Sequence, residues 1–353
     1  MMNKDNTTKK INVENGRGFF TNLKAKWNDF REDWNDPTKK QVRRRKIGKG
    51  LAIFFRTFIL IGLSFLILLP LFQKFSYALR HPTDITNSQV VWIPGIFSLD
   101  NVSMSLQYLS YETTLVNSLI LSTITMVVQV LATAVAGYSF ARLKFKGNNI
   151  IFYLVVITLV VPNETLNLSR YLFFNYTSFF GVELIYNTFA IYIMSAFGMG
   201  LRSAIFIFLF RQFFRNIPIE LEESAEIDGA GVIRTFWSVM LPNARGAIVT
   251  VALFSFVWQY NDYYWANLFR YQRDMPTLAT RLAAGTGNFS AILRTSFPEF
   301  FAIYGDEIAE DPQFFGLIAN TSALLMMLPL LIGYFFVQKL FVESIERTGL
   351  TGM

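Results

Sequence analysis

The chain has 353 residues, 52% of them hydrophobic and 37 of them Phe, with a mean hydropathy of +0.35. A soluble protein of this size would leave much of that apolar surface wet, so the composition describes a polytopic membrane protein. There is no cysteine and one histidine, His81, which excludes a disulfide framework or a thiolate metal site and weakens any zinc-based or histidine-based catalysis. The formal charge of +7 comes largely from basic residues beside apolar runs, a pattern of membrane topology and not of nucleic-acid binding.

Residues 1–50 form a polar, basic cytoplasmic extension in which Phe19, Phe20, Leu23, Trp27, Phe30 and Trp34 recur at helical spacing. That spacing predicts an amphipathic helix, lying on a membrane surface or packed on the rest of the chain. Next, Lys39, Lys40, Arg43, Arg44, Arg45, Lys46 and Lys49 immediately precede the first apolar stretch, and are expected to stay cytoplasmic against anionic headgroups. A cleaved signal peptide is not expected, because the polar leader is long and no small-residue cleavage site follows the apolar run.

Residues 51–353 read as an all-α transmembrane domain with both termini cytoplasmic. Six spans are predicted, at about 51–72, 114–138, 150–161, 187–214, 247–268 and 315–341. Arg142, Lys144 and Lys146 mark the cytoplasmic end of the second, and Gly198 and Gly200 divide the fourth. The segment 269–314, expected outside, is too long to be a mere connector. Its arginines, acidic residues and five interspersed aromatics suit an outer cap that touches a substrate-binding protein or the entry to the cavity, or a loop packed on the outer membrane face.

Between the fourth and fifth spans lies the most polar helix-patterned stretch, residues 217–246. Pro218 suits a first helical turn, and Glu220, Glu222, Glu223 and Glu226 crowd the positive end of the helix dipole. Leu221, Ser224, Ala225 and Asp228 fall at three- and four-residue spacing, giving a narrow face of mostly small side chains that can sit close against another surface. Gly229 supplies a left-handed stop. A second helical pattern, Ile233, Phe236, Trp237 and Met240, runs to Leu241 and Pro242, where the chain turns back toward apolar sequence.

The order Glu223, Ser224, Ala225, then Gly229, Val239, Leu241 and Pro242 resembles the EAA loop of bacterial ABC-importer permeases. WIP at Trp92 to Pro94, SLDN at Ser98 to Asn101, VNSLILST, GYSFARLKFKG, FLFRQFFRNIP and WQYNDYYWANL are similar to the type I importers for carbohydrates, specifically to one of the two permeases that pair in the maltose importer. Ser224 stands for the usual first Ala, Val239 for Ile, and Gly246 where a second Pro is common. The resemblance covers about residues 55–353. It implies the type I permease fold and a bacterial cell-membrane location. It also implies a second homologous permease, two ATPase subunits, and an extracytoplasmic sugar-binding protein as partners. ATP and Mg would be bound by the ATPase subunits, with no cofactor in this chain. Coupling to the ATPase would pass through Glu222, Glu223, Ser224, Ala225, Asp228, Gly229, Ala230, Leu241 and Pro242, with 219–230 as a rigid lever.

No Gly-x4-Gly-Lys-Ser/Thr segment occurs, so the chain has no P-loop for ATP phosphates and the energy for uphill transport must come from another subunit or an ion. Ionisable or amide groups within the spans are few, mainly Gln129, Arg202 and Asp262, which disfavours an ion-coupled secondary transporter. A non-transporting membrane scaffold is the other competing class. For a substrate path the candidates are Trp258, Tyr260, Asn261 and Asp262, since sugar rings stack on aromatic faces while amides and carboxylates bond their hydroxyls. The same aromatics also fit a simple interfacial belt. Arg202 joins them because it lies 13 residues before Arg215, roughly 20 Å into the membrane, too deep to reach the cytoplasm easily. It is expected to face the cavity, toward water, a carboxylate such as Asp262 or an acidic or hydroxyl-rich substrate; the alternatives are pairing within the bundle or reaching the outer interface. The sequence does not name the sugar.

Overall fold

The computed structural model describes Trp27 and residues 37–86, 92–179 and 181–350. The predicted amphipathic helix therefore lies outside the described residues, Trp27 excepted. The chain divides into two units, Met1–Pro70 and Leu71–Met353.

The described part of the first unit is the beginning of helix α1 (Pro37–Leu79), which continues into the second unit past Pro70. Leu51, Phe54, Phe58, Ile61, Phe65 and Ile67 are all exposed. A helix apolar on every side is stable in hydrocarbon, where its backbone bonds are internal and its side chains need no polar partner.

In the second unit, α2 (Asp100–Leu109) is followed by the long α3 (Tyr111–Arg142), the short apolar α4 (Asn148–Ile157) and α5 (Asn167–Tyr176). A two-residue hairpin pairs Ser178–Phe179 with Val182–Glu183. Then come α6 (Phe189–Ala196), α7 (Ser203–Asn216), α8 (Glu220–Ile227), α9 (Val232–Asn243) and α10 (Arg245–Tyr260). Short helices α11 (Tyr264–Phe269), α12 (Leu278–Ala283), α13 (Phe289–Ser296) and α14 (Pro298–Tyr304) lead to α15 (Pro312–Leu350). Among the described residues the architecture is all-α apart from that hairpin.

Helix α3 is the centre of the bundle, packed on α6, α7 and α10. Its buried face carries Thr114, Ser118, Ser122, Thr125, Gln129, Thr133, Ala134 and Gly137 beside the larger Leu121, Val130 and Tyr138. Where lipid is as apolar as Leu, such small residues let helices approach closely, and the hydroxyls of Thr114, Ser118 and Thr133 turn back onto their own helix. Ser118 donates to the Thr114 carbonyl at 2.7 Å and Thr133 to that of Gln129 at 2.6 Å. The helices come close at Gly137, where a Cβ would stand 2.4 Å from Cβ of Phe210.

Among the described residues three helices, α1, α3 and α15, are long and apolar enough to cross a membrane, and the bent pair α9–α10 makes a fourth if taken as one span. The third predicted span is the ten-residue α4, and the fourth is broken into α6 and α7. At the break Gly198 has φ +70° and Arg202 φ +54°, as the two glycines in that stretch led one to expect. Gln129 of α3 donates through Nε2 to the Leu201 carbonyl and to Ser203 Oγ, both at 2.8 Å. An interrupted helix at membrane depth is tolerable when a neighbour satisfies the freed backbone in this way.

The fifth span is shorter than predicted. Helix α10 stops at Tyr260, not near Leu268, because the Asp262 carboxylate accepts from the Trp265 amide at 3.2 Å and starts α11 separately. The segment 269–314 folds into α12–α14 against α2 and α15, with Phe289, Leu293, Phe301 and Phe314 in one buried cluster with Met104, Tyr108 and Ile318. Most of its aromatics are therefore packed, while Ile303 and Tyr304 remain exposed.

Candidate functional site

The polar stretch after α7 forms a compact unit. Helix α8 carries Glu220, Glu222 and Glu223 in its first turn, where negative charge is favoured by the helix dipole. It ends in a Schellman motif, with the Gly229 amide donating to the Glu226 carbonyl at 3.0 Å and the Ala230 amide to that of Ala225 at 2.9 Å. Gly229 takes φ +78°, the left-handed stop its residue type predicted. Helix α9 contains a turn of π-helix over Phe236–Met240 just before Pro242, whose ring nitrogen has no proton to give the ladder. An 80° bend then separates α9 from α10.

Glu222 does not point outward. Its carboxylate accepts from the Tyr138 hydroxyl at 2.7 Å and lies 3.4 Å from Nε of Arg142, with the Arg142 and Glu222 side chains only 11% and 13% exposed. Tyr138 and Arg142 are one turn apart on the last turns of α3, so one face of that helix holds α8. Arg142 also donates to the Ile217 carbonyl at the entry to the loop. Above this pair the Tyr138 ring meets Phe214 at 5.7 Å and Phe236 at 5.2 Å, joining α3, α7 and α9 in one aromatic triangle. Tyr138 and Arg142 were missed as site residues. Their signal was their four-residue spacing within GYSFAR, readable only with the partner carboxylate known.

The small face needs correction. Ala225 is buried within this chain, and α8 packs on the π-helical turn of α9. Ser224 is exposed and bonds back to the Glu220 carbonyl at 2.7 Å. Ala225 and Ser224 thus point to different sides of a short helix, so the small residues do not form one continuous outward face. What α8 and α9 expose are Glu223, Glu226 and Asp228 with an apolar set, Ile219, Leu221, Ile227 (86%), Ile233 (77%) and Trp237. Leu241 is half-buried and Pro242 exposed, while Ala230 is half-buried by its own helix stop.

The proposed substrate-path residues do not converge on one place. The Arg202 guanidinium lies 4.7 Å from the Trp258 ring centroid, and Trp258 stacks on Phe206 at 5.2 Å. Tyr260 is buried on another side, donating to the Met326 carbonyl at 3.0 Å. Asn261 is exposed and bonds back to the Val257 carbonyl, and Asp262 is buried against Trp265 and Tyr271. Asp262 is committed to ordering the turn into α11, and Arg202 rests on an aromatic face rather than a carboxylate. Consecutive residues at a helix end radiate in different directions, so adjacency in sequence did not make a site.

The fold is thus a helical bundle centred on a small-residue helix, with a broken helix beside it and a polar helical hairpin anchored at one end. Residues 129–347 match the family model described as binding-protein-dependent transport system inner membrane component, and the chain belongs to that family. The sn-glycerol-3-phosphate transport system permease protein UgpE of Yersinia pestis is 28% identical over 236 residues, 65% of this chain and 80% of that protein. The maltodextrin transport system permease protein MalD of Streptococcus pneumoniae is 26% identical over 315 residues, covering 87% and 96%. The crystal structure of a bacterial ABC transporter involved in the import of the acidic polysaccharide alginate contains a chain of the same fold, with a TM-score of 0.61 at 19% identity and 84% and 96% coverage.

Proposed function

We propose that this chain is one permease subunit of an ATP-driven carbohydrate importer. It would form the translocation path with a second, related permease, receive solute from an extracytoplasmic binding protein and couple to two ATPase subunits that hold ATP and Mg. The observation that carries the coupling role is the anchoring of α8 to the end of α3 through Glu222, Tyr138 and Arg142. A push on α8 reaches the core of the bundle through a mostly buried ion pair and three aromatic rings, without a flexible linker. The exposed apolar side chains of α8 and α9 suit a docking surface for the ATPase, and on this reading that face is the cytoplasmic one. Carbohydrate is favoured by the maltodextrin and alginate systems among the relatives, and by Trp258 with Arg202, an aromatic face beside a strong donor.

The deciding experiment is co-purification from the native membrane followed by reconstitution. An ATPase dimer should accompany the chain, and ATP hydrolysis should rise when the loaded binding protein is added. Purification without any ATPase, with uptake driven by an ion gradient, would support a secondary transporter instead.

A further inference from the structure

An open pocket of about 770 Å³ lies where α3 ends, α4 begins and α7 passes, at the end of the bundle that carries α8. Its lining includes Arg142, Lys144, Lys146, Arg211 and Arg215 and no acidic residue. Arg142 is occupied by Glu222 and the Ile217 carbonyl. Arg211 is fixed at the pocket wall, its guanidinium 3.9 Å from the Phe152 ring centroid and its Nε donating to the Phe140 carbonyl at 3.3 Å. Arg215, one turn further along α7, is exposed, as are Lys144 and Lys146, and none of the three makes an ion pair or side-chain hydrogen bond with a described residue. Like charges gathered this way repel one another unless an anion sits among them.

The second observation is the wall beside the pocket. Helix α4 buries only Phe152, while Ile150, Ile151, Tyr153, Leu154 and Ile157 are exposed. Tyr153 belongs to both, lining the pocket and standing on the apolar side of α4. Cationic groups therefore give way within one helical turn to a surface that only hydrocarbon satisfies, the profile of an amphiphile with a charged head. A free anion would use the charges and leave that wall in water.

We propose that this pocket binds the headgroup of an anionic phospholipid, with Lys144, Lys146 and Arg215 contacting the phosphate region and the acyl chains running along α4. Basic pockets between transmembrane helices are suited to this chemistry. Bound lipid would tie the α3–α4 turn to α7 next to the Arg142–Glu222 anchor, so the membrane's anionic content would set how firmly α8 is held. The inference needs only that the chain is membrane-embedded, and stands whatever solute is carried.

The test uses the whole transporter complex, purified in a neutral detergent. Native mass spectrometry and thermal unfolding would be followed during titration with phosphatidylglycerol, phosphatidylcholine or inorganic phosphate. Phosphatidylglycerol should be retained and should raise the unfolding temperature, and the other two should not. Lys144→Gln, Lys146→Gln and Arg215→Gln together should weaken that retention by roughly fivefold per charge removed, whereas the charge-conserving Lys144→Arg with Lys146→Arg should keep it. Equal retention of phosphatidylcholine, equal stabilisation by phosphate, or an unchanged preference in the triple variant would overturn the proposal. So would protection of Lys144 and Lys146 from amine labelling by the ATPase subunits with no lipid retained. Because wild-type protein alone separates the three additives, poor insertion of the variant does not leave the matter open.

Discussion

The Tyr138 hydroxyl donates to the Glu222 carboxylate at 2.7 Å across 84 residues of sequence, and Arg142 completes the contact from the same face of α3. The contact makes the polar hairpin part of the bundle. Glu222→Ala leaves Arg142 partly buried and without its carboxylate, which should cost about 3 kcal/mol. Tyr138→Phe should cost about 1 kcal/mol. Thermal unfolding measures both. In reconstituted complexes Glu222→Ala should also depress binding-protein stimulation of ATP hydrolysis more than basal hydrolysis, and proportional loss of both would remove this contact from the coupling path.

Two glycines separate close packing from backbone conformation. At Gly137 an added Cβ would meet Phe210 Cβ at 2.4 Å and the Arg211 amide nitrogen at 3.0 Å, so α3 and α7 must part. Gly137→Ala should destabilise by roughly 2–3 kcal/mol, in the range of core overpacking. Gly229 has open space but φ +78°, so Gly229→Ala should cost only about 1 kcal/mol. A larger loss at Gly229 than at Gly137, read by unfolding temperature, would contradict this assignment.

The buried and exposed positions of α8 and α9 should respond oppositely. Ala225→Trp forces a large ring into a buried position of α8 and should lower stability and coupling together, by about 1–3 kcal/mol of overpacking. Ile227→Asp and Ile233→Asp change exposed side chains and should leave unfolding within about 0.5 kcal/mol of wild type. Both should reduce co-purification of the ATPase subunits by tenfold or more if that face docks. Undiminished co-purification with both aspartates in place would move the docking surface elsewhere.

Arg202 gives the clearest probe of the substrate path. Its guanidinium over Trp258 is worth on the order of 1 kcal/mol where partly desolvated. Arg202→Gln should therefore lose about that much stability while the complex assembles. If the arginine also serves solute passage, uptake in vesicles should fall by tenfold or more, with ATP hydrolysis retained. Uptake that merely tracks the amount of folded protein would make Arg202 a structural residue alone.

Composition and local pattern sufficed for what depends on neighbours in sequence. The apolar runs of α1, α3 and α15 exceed what a soluble core holds, so they had to be membrane helices whatever packed beside them. The Gly229 stop, the break after Gly198 and the turn-back near Pro242 follow from backbone preferences that each residue carries with it. Tertiary structure decided what depends on direction. That Glu222 turns inward while Glu223 stays in solvent, that Ala225 is buried while Ser224 is exposed, and that Trp258, Tyr260 and Asp262 face three different clusters are settled by which helix lies beside each one. On a helix, neighbouring side chains diverge by about 100°, so one residue's displacement in sequence changes its partner completely. Arg142 shows both kinds of determination. Its charge at the end of an apolar run was legible as a topology marker, but its bond to a carboxylate 80 residues away exists only because α7 returns the chain beside α3.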